Sequence, residues 1–220
     1  MGSGRRPTAI EAVETVNRVP SAPGSWYHSL SMRRQIQIGW RGLAGGGPNL
    51  SRLEDVVAPK ILRAMRTVSE QLTKLGIPHA LVGGLAVGVH GYPRATRNID
   101  FLVGDAAFQH FSGGIVAVAP GVPIQVEGVP VDPISIGPEE RHLVTVVESP
   151  EICSGIPVAP LAALLYLKLK SPRKRDAVDV AELLRSGVDP APVRAYLVRH
   201  ARELVGKFDG LASEAEADDE

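Results

Sequence analysis

Asn98 and Asp100 stand two residues apart in the run NIDFLV, residues 98–103. Side chains alternate along a strand, so Asn98, Asp100 and Leu102 share one face while Ile99, Phe101 and Val103 share the other. The apolar face suits a core, and the polar face offers an amide and a carboxylate close enough to hold one hard cation. A further carboxylate, Asp132, lies within the apolar run GVPVDPIS, where burying it unpaired is costly. If that strand lies beside residues 98–103, Asp132 and Asp100 can share a divalent ion. Ligands that are all oxygen suit Mg²⁺ or Mn²⁺ and not zinc. The pair Gly83-Gly84, in HALVGG, falls where a strand meets a helix. Glycine there lets backbone approach a ligand closely, and free N–H groups at a helix start favour an anion. A metal site, an anion cradle and a further carboxylate are the parts that phosphoryl chemistry uses.

Each of these residues also has a plainer reading. Asn98 and Asp100 can cap a turn or satisfy buried backbone, Asp132 beside Pro133 can belong to a turn, and the glycine pair can be a tight bend without a ligand. Arg94 and Arg97 fit ordinary surface charges, Lys168 fits a solvated helix residue, and Asp176 and Asp179 fit ion-pair partners of Arg173 and Arg175. His90 reads as packed or hydrogen-bonded, and the lone Cys153 as inert.

The elements that must position these residues can be read in turn. Residues 1–50 mix Pro, Gly, Ser and Arg without a sustained period and read as a disordered extension, with Met32 a candidate natural start. Ser51 and Glu54 form a capping-box pattern. The stripe Val57, Ile61, Ala64, Val68, Leu72 and Leu75 then predicts one amphipathic helix over 51–75, stopped by Gly76 and Pro78. HALVGG predicts a strand, LAVGVH a short helix and NIDFLV a second strand. Residues 105–112 read as a short helix. GIVAVA, VPIQVEG and VPVDPIS read as strands, with Glu127-Gly128 turning a hairpin. LVTVVES and IPVAP are expected as edge strands. From Pro160 onward the period is helical, with Gly187 ending one helix and Asp189 capping PAPVRAYLVRHARELVGKF. The fold class is α+β (α/β-like): a small mixed sheet core over 51–158, an N-terminal helix, a C-terminal helical bundle over 159–208, and an acidic, mobile tail over 209–220.

Composition bounds the rest. Lys+Arg and Asp+Glu are equal at 24 each, so the chain lacks the overall charge of a dedicated nucleic-acid binder. A local basic patch remains compatible with that balance. One cysteine permits neither an internal disulfide nor a cysteine-based zinc site. No apolar h-region follows the basic N-terminus, and no apolar run approaches the roughly 18–20 residues of a membrane span. The expectation is a cytoplasmic protein with no membrane association.

The ordered set GGLAVGVHGYPRATRNIDFLV resembles the signature of the polymerase-β-like nucleotidyltransferase superfamily: a glycine pair, a short helix, then Asp-x-Asp on a strand. It is most similar to the branch of abortive-infection toxins, in which Arg-x-Thr, here Arg94 and Thr96, precedes the acidic pair. LYLKLKSPRKRDAVDVAELL continues the similarity through Lys168, Asp176 and Asp179. The resemblance implies that Gly83 and Gly84 hold the phosphates of an NTP. It makes Asp100 the bridging metal ligand, position 98 its partner, and Asp132 the carboxylate that helps activate the attacking hydroxyl. Arg94, Thr96 and Lys168 would neutralise triphosphate or maintain the site, with Mg²⁺ or Mn²⁺ as cofactor. The implied reaction is NMP transfer to a hydroxyl on RNA, protein or a small molecule, and the toxin branch implies an antitoxin-like protein partner. This sequence departs from the signature at Asn98, where the family has its first aspartate. Charges 4 Å apart interact by on the order of 4 kcal/mol at intermediate dielectric, so the missing charge weakens metal binding. Glu127 and Asp105 are the nearby acids able to restore it, and a degenerate fold that binds a nucleotide or partner without turnover is the alternative.

Overall fold

Pro59, not Ser51, begins the first long helix. Proline has no N–H to donate and pre-sets the helical φ, so it suits the first turn and disrupts an interior. In the computed structural model, which describes residues 47–217, α1 spans Pro59–Lys74. Ala58 before it is driven out of the helical region, at φ −54°, ψ 133°. The expected start at Ser51 is replaced by a single 3₁₀ turn over Leu50–Leu53, capped by Asn49, whose Oδ1 accepts from the Ser51 N–H at 3.0 Å. The stripe Ile61, Ala64, Val68 and Leu72 is buried, and Gly76 follows with φ +68°. The expectation for residues 1–46 and 218–220 lies outside the described residues.

The strands are β1 (His79–Leu81), β2 (Ile99–Val103), β3 (Phe108–His110), β4 (Val116–Val118), β5 (Gln125–Val126), β6 (Val129–Ser135), β7 (Glu151–Cys153) and β8 (Ile156–Val158). The remaining helices are α2 (Gly83–His90), α3 (Val144–Glu148), α4 (Leu161–Lys170), α5 (Lys174–Arg185), α6 (Pro190–His200) and α7 (Val205–Ala217). Six strands form one mixed sheet in the order β5-β6-β2-β1-β8-β7. β6 runs parallel to β2 and β8 parallel to β1, while β1–β2, β5–β6 and β7–β8 are antiparallel. The α+β class expected from the sequence is the class observed.

Pro133 sits inside β6 because of strand alternation. The N–H of Val131 points away from β2 and donates to Ile124 O at 2.9 Å. Two residues on, position 133 faces the same open side, where a missing N–H costs no ladder bond.

Five expectations are corrected. Only Asp105–Ala107 is helical, as one 3₁₀ turn, and the chain then forms the β3–β4 ribbon. LVTVVES is helical rather than a strand: Leu143, Val146 and Val147 are buried at three- and four-residue spacing, which outweighs their β-branched composition. β8 lies between β1 and β7, so β7 is the edge. The last helix breaks at Ala201 (φ −158°, ψ 66°), giving α6, a 3₁₀ turn over Arg202–Leu204, and α7. α7 continues through 209–217, where the tail was expected, with Phe208 and Ala215 buried and Asp209 paired to Arg194 at 2.9 Å. Side chains of α4, α5 and α7 join the same apolar core as β1, β2 and α2.

The β5–β6 hairpin turns at Glu127 and Gly128, both with positive φ (51° and 73°). Only glycine and asparagine-like residues adopt that region cheaply, and Glu127 bears a strain of about 1–2 kcal/mol. Glu127→Asn should therefore raise the thermal midpoint by about 2–4 °C, measured by circular dichroism.

Candidate functional site

β2 and β6 pair in parallel with Asp100 directly opposite Asp132. The adjacency that the sequence left as a condition is present. Between the carboxylates lies the amide of Asn98: its Nδ2 donates to Asp100 Oδ1 at 2.9 Å and to Asp132 Oδ2 at 2.7 Å. The amide nitrogen thus occupies the place where positive charge is needed between two acids.

The glycine pair packs onto the other side of Asp100. Gly83 has φ +66°, and a Cβ built there would lie 1.9 Å from Asp100 Oδ2. No side chain is compatible with that approach. The Gly84 N–H donates to the Asp100 carboxylate, so the anion at the start of α2 is Asp100 itself. A Cβ on Gly84 would come within 3.2 Å of both Arg94 Nη1 and Thr96 Oγ1. The two glycines therefore let the loop before β2 close against the helix. A phosphate bound there would share the helix start with Asp100.

Asp100 is pushed up to about 6, first by burial and then by the like charge of Asp132. Lys168, the Gly84 N–H and Arg173 act in the opposite direction without cancelling it. Arg173 was not singled out for this role in the sequence, because nothing in the spacing places residue 173 near residue 100.

Arg94 and Lys168 are held in one buried network. Arg94 donates through Nε and Nη2 to the two oxygens of Asp179 at 2.6 and 2.7 Å. Lys168 reaches Asp179 at 2.7 Å and also donates to Asp176. The acids of α5 are thus paired with Arg94 and Lys168 rather than with Arg173 and Arg175. Burial opposes the charge on Asp176, yet its hydrogen bonds from Lys168 and Ser171 hold that carboxyl below the ordinary range. Lys168 is a buried residue and not a solvated one. Arg175 Nη2 donates to Ala95 O at 3.3 Å, a second tie between α5 and the loop that leads into Asn98.

Neither acid proposed to replace the missing charge comes near. Glu127 turns the hairpin, 3.5 Å from Arg63, and Asp105 follows the far end of β2, in contact with His110 at 2.9 Å. His90 donates its Nε2–H to Ala159 O at 2.9 Å, and burial lowers its pKa to about 4. It is a neutral packing residue.

The donor set suits one hard cation. Asp100 and Asp132 provide carboxylate oxygens, and rotation of the Asn98 amide exchanges its N–H₂ for its oxygen. Among the described residues no group of three His, Cys, Asp or Glu side chains converges as a metal site.

No protein-family model matches the chain, and no curated protein matches it. Among solved structures, the chain is similar to an antigenic nucleotidyltransferase-like protein from Paracoccidioides brasiliensis. The two share 18% identity, with 74% of this chain and 94% of that one covered and a TM-score of 0.43. No helix among the described residues is long and apolar enough to cross a membrane.

Two outcomes follow from this geometry. Between about pH 4 and 6 the folded protein holds a proton on Asp100 that the unfolded chain has released. This group's contribution to stability therefore falls as pH rises through that window. Carboxyl ¹³C shifts should place the Asp100 midpoint near 6, and Asp132→Asn should move it downward by removing the like charge. Asp179→Ala leaves Arg94 and Lys168 without their shared acid and should cost about 3–5 kcal/mol, read from urea unfolding.

Proposed function

We propose that this chain is a nucleotidyltransferase-fold protein that binds an NTP with Mg²⁺ and transfers NMP to an acceptor hydroxyl. The observation that carries this reading is the register of β2 and β6, which sets Asp100 against Asp132 beside a glycine turn too tight for any side chain. The motif of glycine pair, Arg94, Thr96 and an acidic strand supports it. Asp100, Asp132 and the Asn98 oxygen would hold the ion, which supplies charge neutralisation at the phosphates and at the departing pyrophosphate.

Asp132, the more exposed of the two acids, accepts the proton of the acceptor hydroxyl. The hydroxyl oxygen forms a bond to the α-phosphorus, the bond from that phosphorus to the α–β bridging oxygen breaks, and pyrophosphate leaves with the electron pair. Asp179 and Lys168 keep the loop and Asp100 in place. A toxin-like role with a neutralising protein partner rests on the sequence motif alone.

One observation favours a second reading, binding without turnover. The Asn98 amide already bridges both carboxylates as a donor, which satisfies them without a metal.

Incubation with each α-³²P-labelled NTP, Mg²⁺ or Mn²⁺, and total cellular RNA and protein separates the two. Catalysis requires label transfer by the wild type, its loss in Asp100→Ala, and a fall of about 10²–10⁴-fold in Asp132→Asn. Label appearing only in Asn98→Asp identifies the second reading. A protein that binds no Mg·NTP in either form refutes transfer and nucleotide binding alike and leaves only a protein partner for the second reading.

A further inference from the structure

β4 is an open strand edge with no charge to guard it. In the β3–β4 ribbon the Phe111 N–H donates to Ile115 O and the Ala119 N–H to Ala107 O, each at 2.8 Å. Opposed residues in an antiparallel ladder alternate between bonded and unbonded pairs. Gln109 and Ala117 are therefore the bonded pair between those two, and Val116 and Val118 turn their N–H and C=O groups away from β3. No backbone group of another described residue meets them there. No charged residue stands between Phe111 and Val126, and Phe111, Ile115, Val116 and Val118 are all exposed. Proteins ordinarily blunt such edges with charge, as the other edges of this fold show. β3 carries His110 against Asp105, β7 carries Glu151, and β5 runs into Glu127.

We propose that β4 pairs antiparallel with β4 of a second copy of this chain, joining two ribbons into one four-stranded sheet. The strand is complementary to itself. Centred on Ala117, the pairing sets Val116 opposite Val118 of the other copy, and the reverse, so the outward groups of both strands exchange hydrogen bonds. Ala117 then meets Ala117 at the close, unbonded position, where a small side chain fits. The Val116 and Val118 side chains of both copies share one face of the joined sheet. Neither copy brings a charge to the contact, so no like charges are opposed and none is stripped of water. A foreign strand would need a side-chain feature on β4 to select it, and Val-Ala-Val provides none. An isolated two-stranded ribbon is marginal in water, whereas three or more strands with an apolar face are a stable unit. The pairing consumes the same edge on both copies, so the assembly closes at two. A contact of this size belongs with the weak interfaces below about 1,200 Å², so the dimer depends on concentration. The ribbon follows the end of β2 away from Asn98, and the assignment does not rest on the nucleotidyl-transfer reading.

The test is sedimentation velocity of the full chain over about 5–500 μM, the range in which a weak interface is visible. The wild type should show a monomer in equilibrium with a dimer and nothing larger. Ala117 is exposed, so a charge there leaves the fold intact, which equal thermal midpoints check. Ala117→Lys sets two like charges directly opposite and should weaken the dimer by about fivefold or more, and Ala117→Glu should do the same. An equimolar mixture of the Ala117→Lys and Ala117→Glu proteins should dimerise at least as well as the wild type, because unlike charges then meet. Ile152→Lys, which charges the exposed β7 edge instead, should leave the equilibrium unchanged. A monomer throughout the range overturns the proposal and leaves the edge to a strand of another protein. An open-ended series of larger species, or a dimer indifferent to both charges, overturns it as well. So does a mixture that stays as weak as either variant alone, since the two Ala117 positions then do not face each other.

Discussion

The site depends on one buried carboxylate. Asp179 is inaccessible to solvent and shares its oxygens between Arg94, on the loop before β2, and Lys168, on α4. A buried acid is tolerable only when paired and hydrogen-bonded, and here the pairing brings three chain segments to one point. The loop that Arg94 anchors ends at Asn98, so the place of the Asn98 amide between the two strands follows from a contact on the opposite side of that loop. Gly83 and Gly84 complete the restraint, since any larger residue would drive the loop and Asp100 off α2.

Much of this was legible in the sequence where a local rule decides the outcome. Alternation placed Asn98 and Asp100 on one face, the apolar run containing Asp132 marked a strand, and Glu127-Gly128 marked the hairpin. Local rules failed where two of them competed. Ser51 and Glu54 satisfied a capping pattern, but Pro59 eight residues later set the helix start. The β-branched composition of LVTVVES suggested a strand, while the spacing of Leu143, Val146 and Val147 fitted a helix, and burial followed the spacing. The pairing of Arg94 with Asp179 was illegible for a different reason. Eighty-five positions separate the partners, and no periodicity connects them; only the rule that a buried acid needs a counter-charge announces that a partner exists.

Asn98 is where sequence and geometry meet most closely. As a departure from an acidic motif it removes a negative charge, and the folded chain shows what replaces it: a neutral donor that engages both remaining acids. An aspartate at the same position would place three carboxylates together and make the site depend on a cation for its stability. With asparagine both carboxylates have a hydrogen-bond donor, and Asp100 is raised to about 6 by burial and by Asp132.

The span between Arg94 and Asp179 also orders events in time. During synthesis β2 and β6 can pair once residue 135 is available, and the two carboxylates then face each other. Arg94 still lacks the acid that fixes its loop, and contacts of such large sequence separation form late because loop closure must precede them. A nascent chain therefore carries the acidic pair well before it carries a finished site. The buried network closes only with α5, after the last strand, so a chain cut before it carries the acidic pair beside a loop without its anchor.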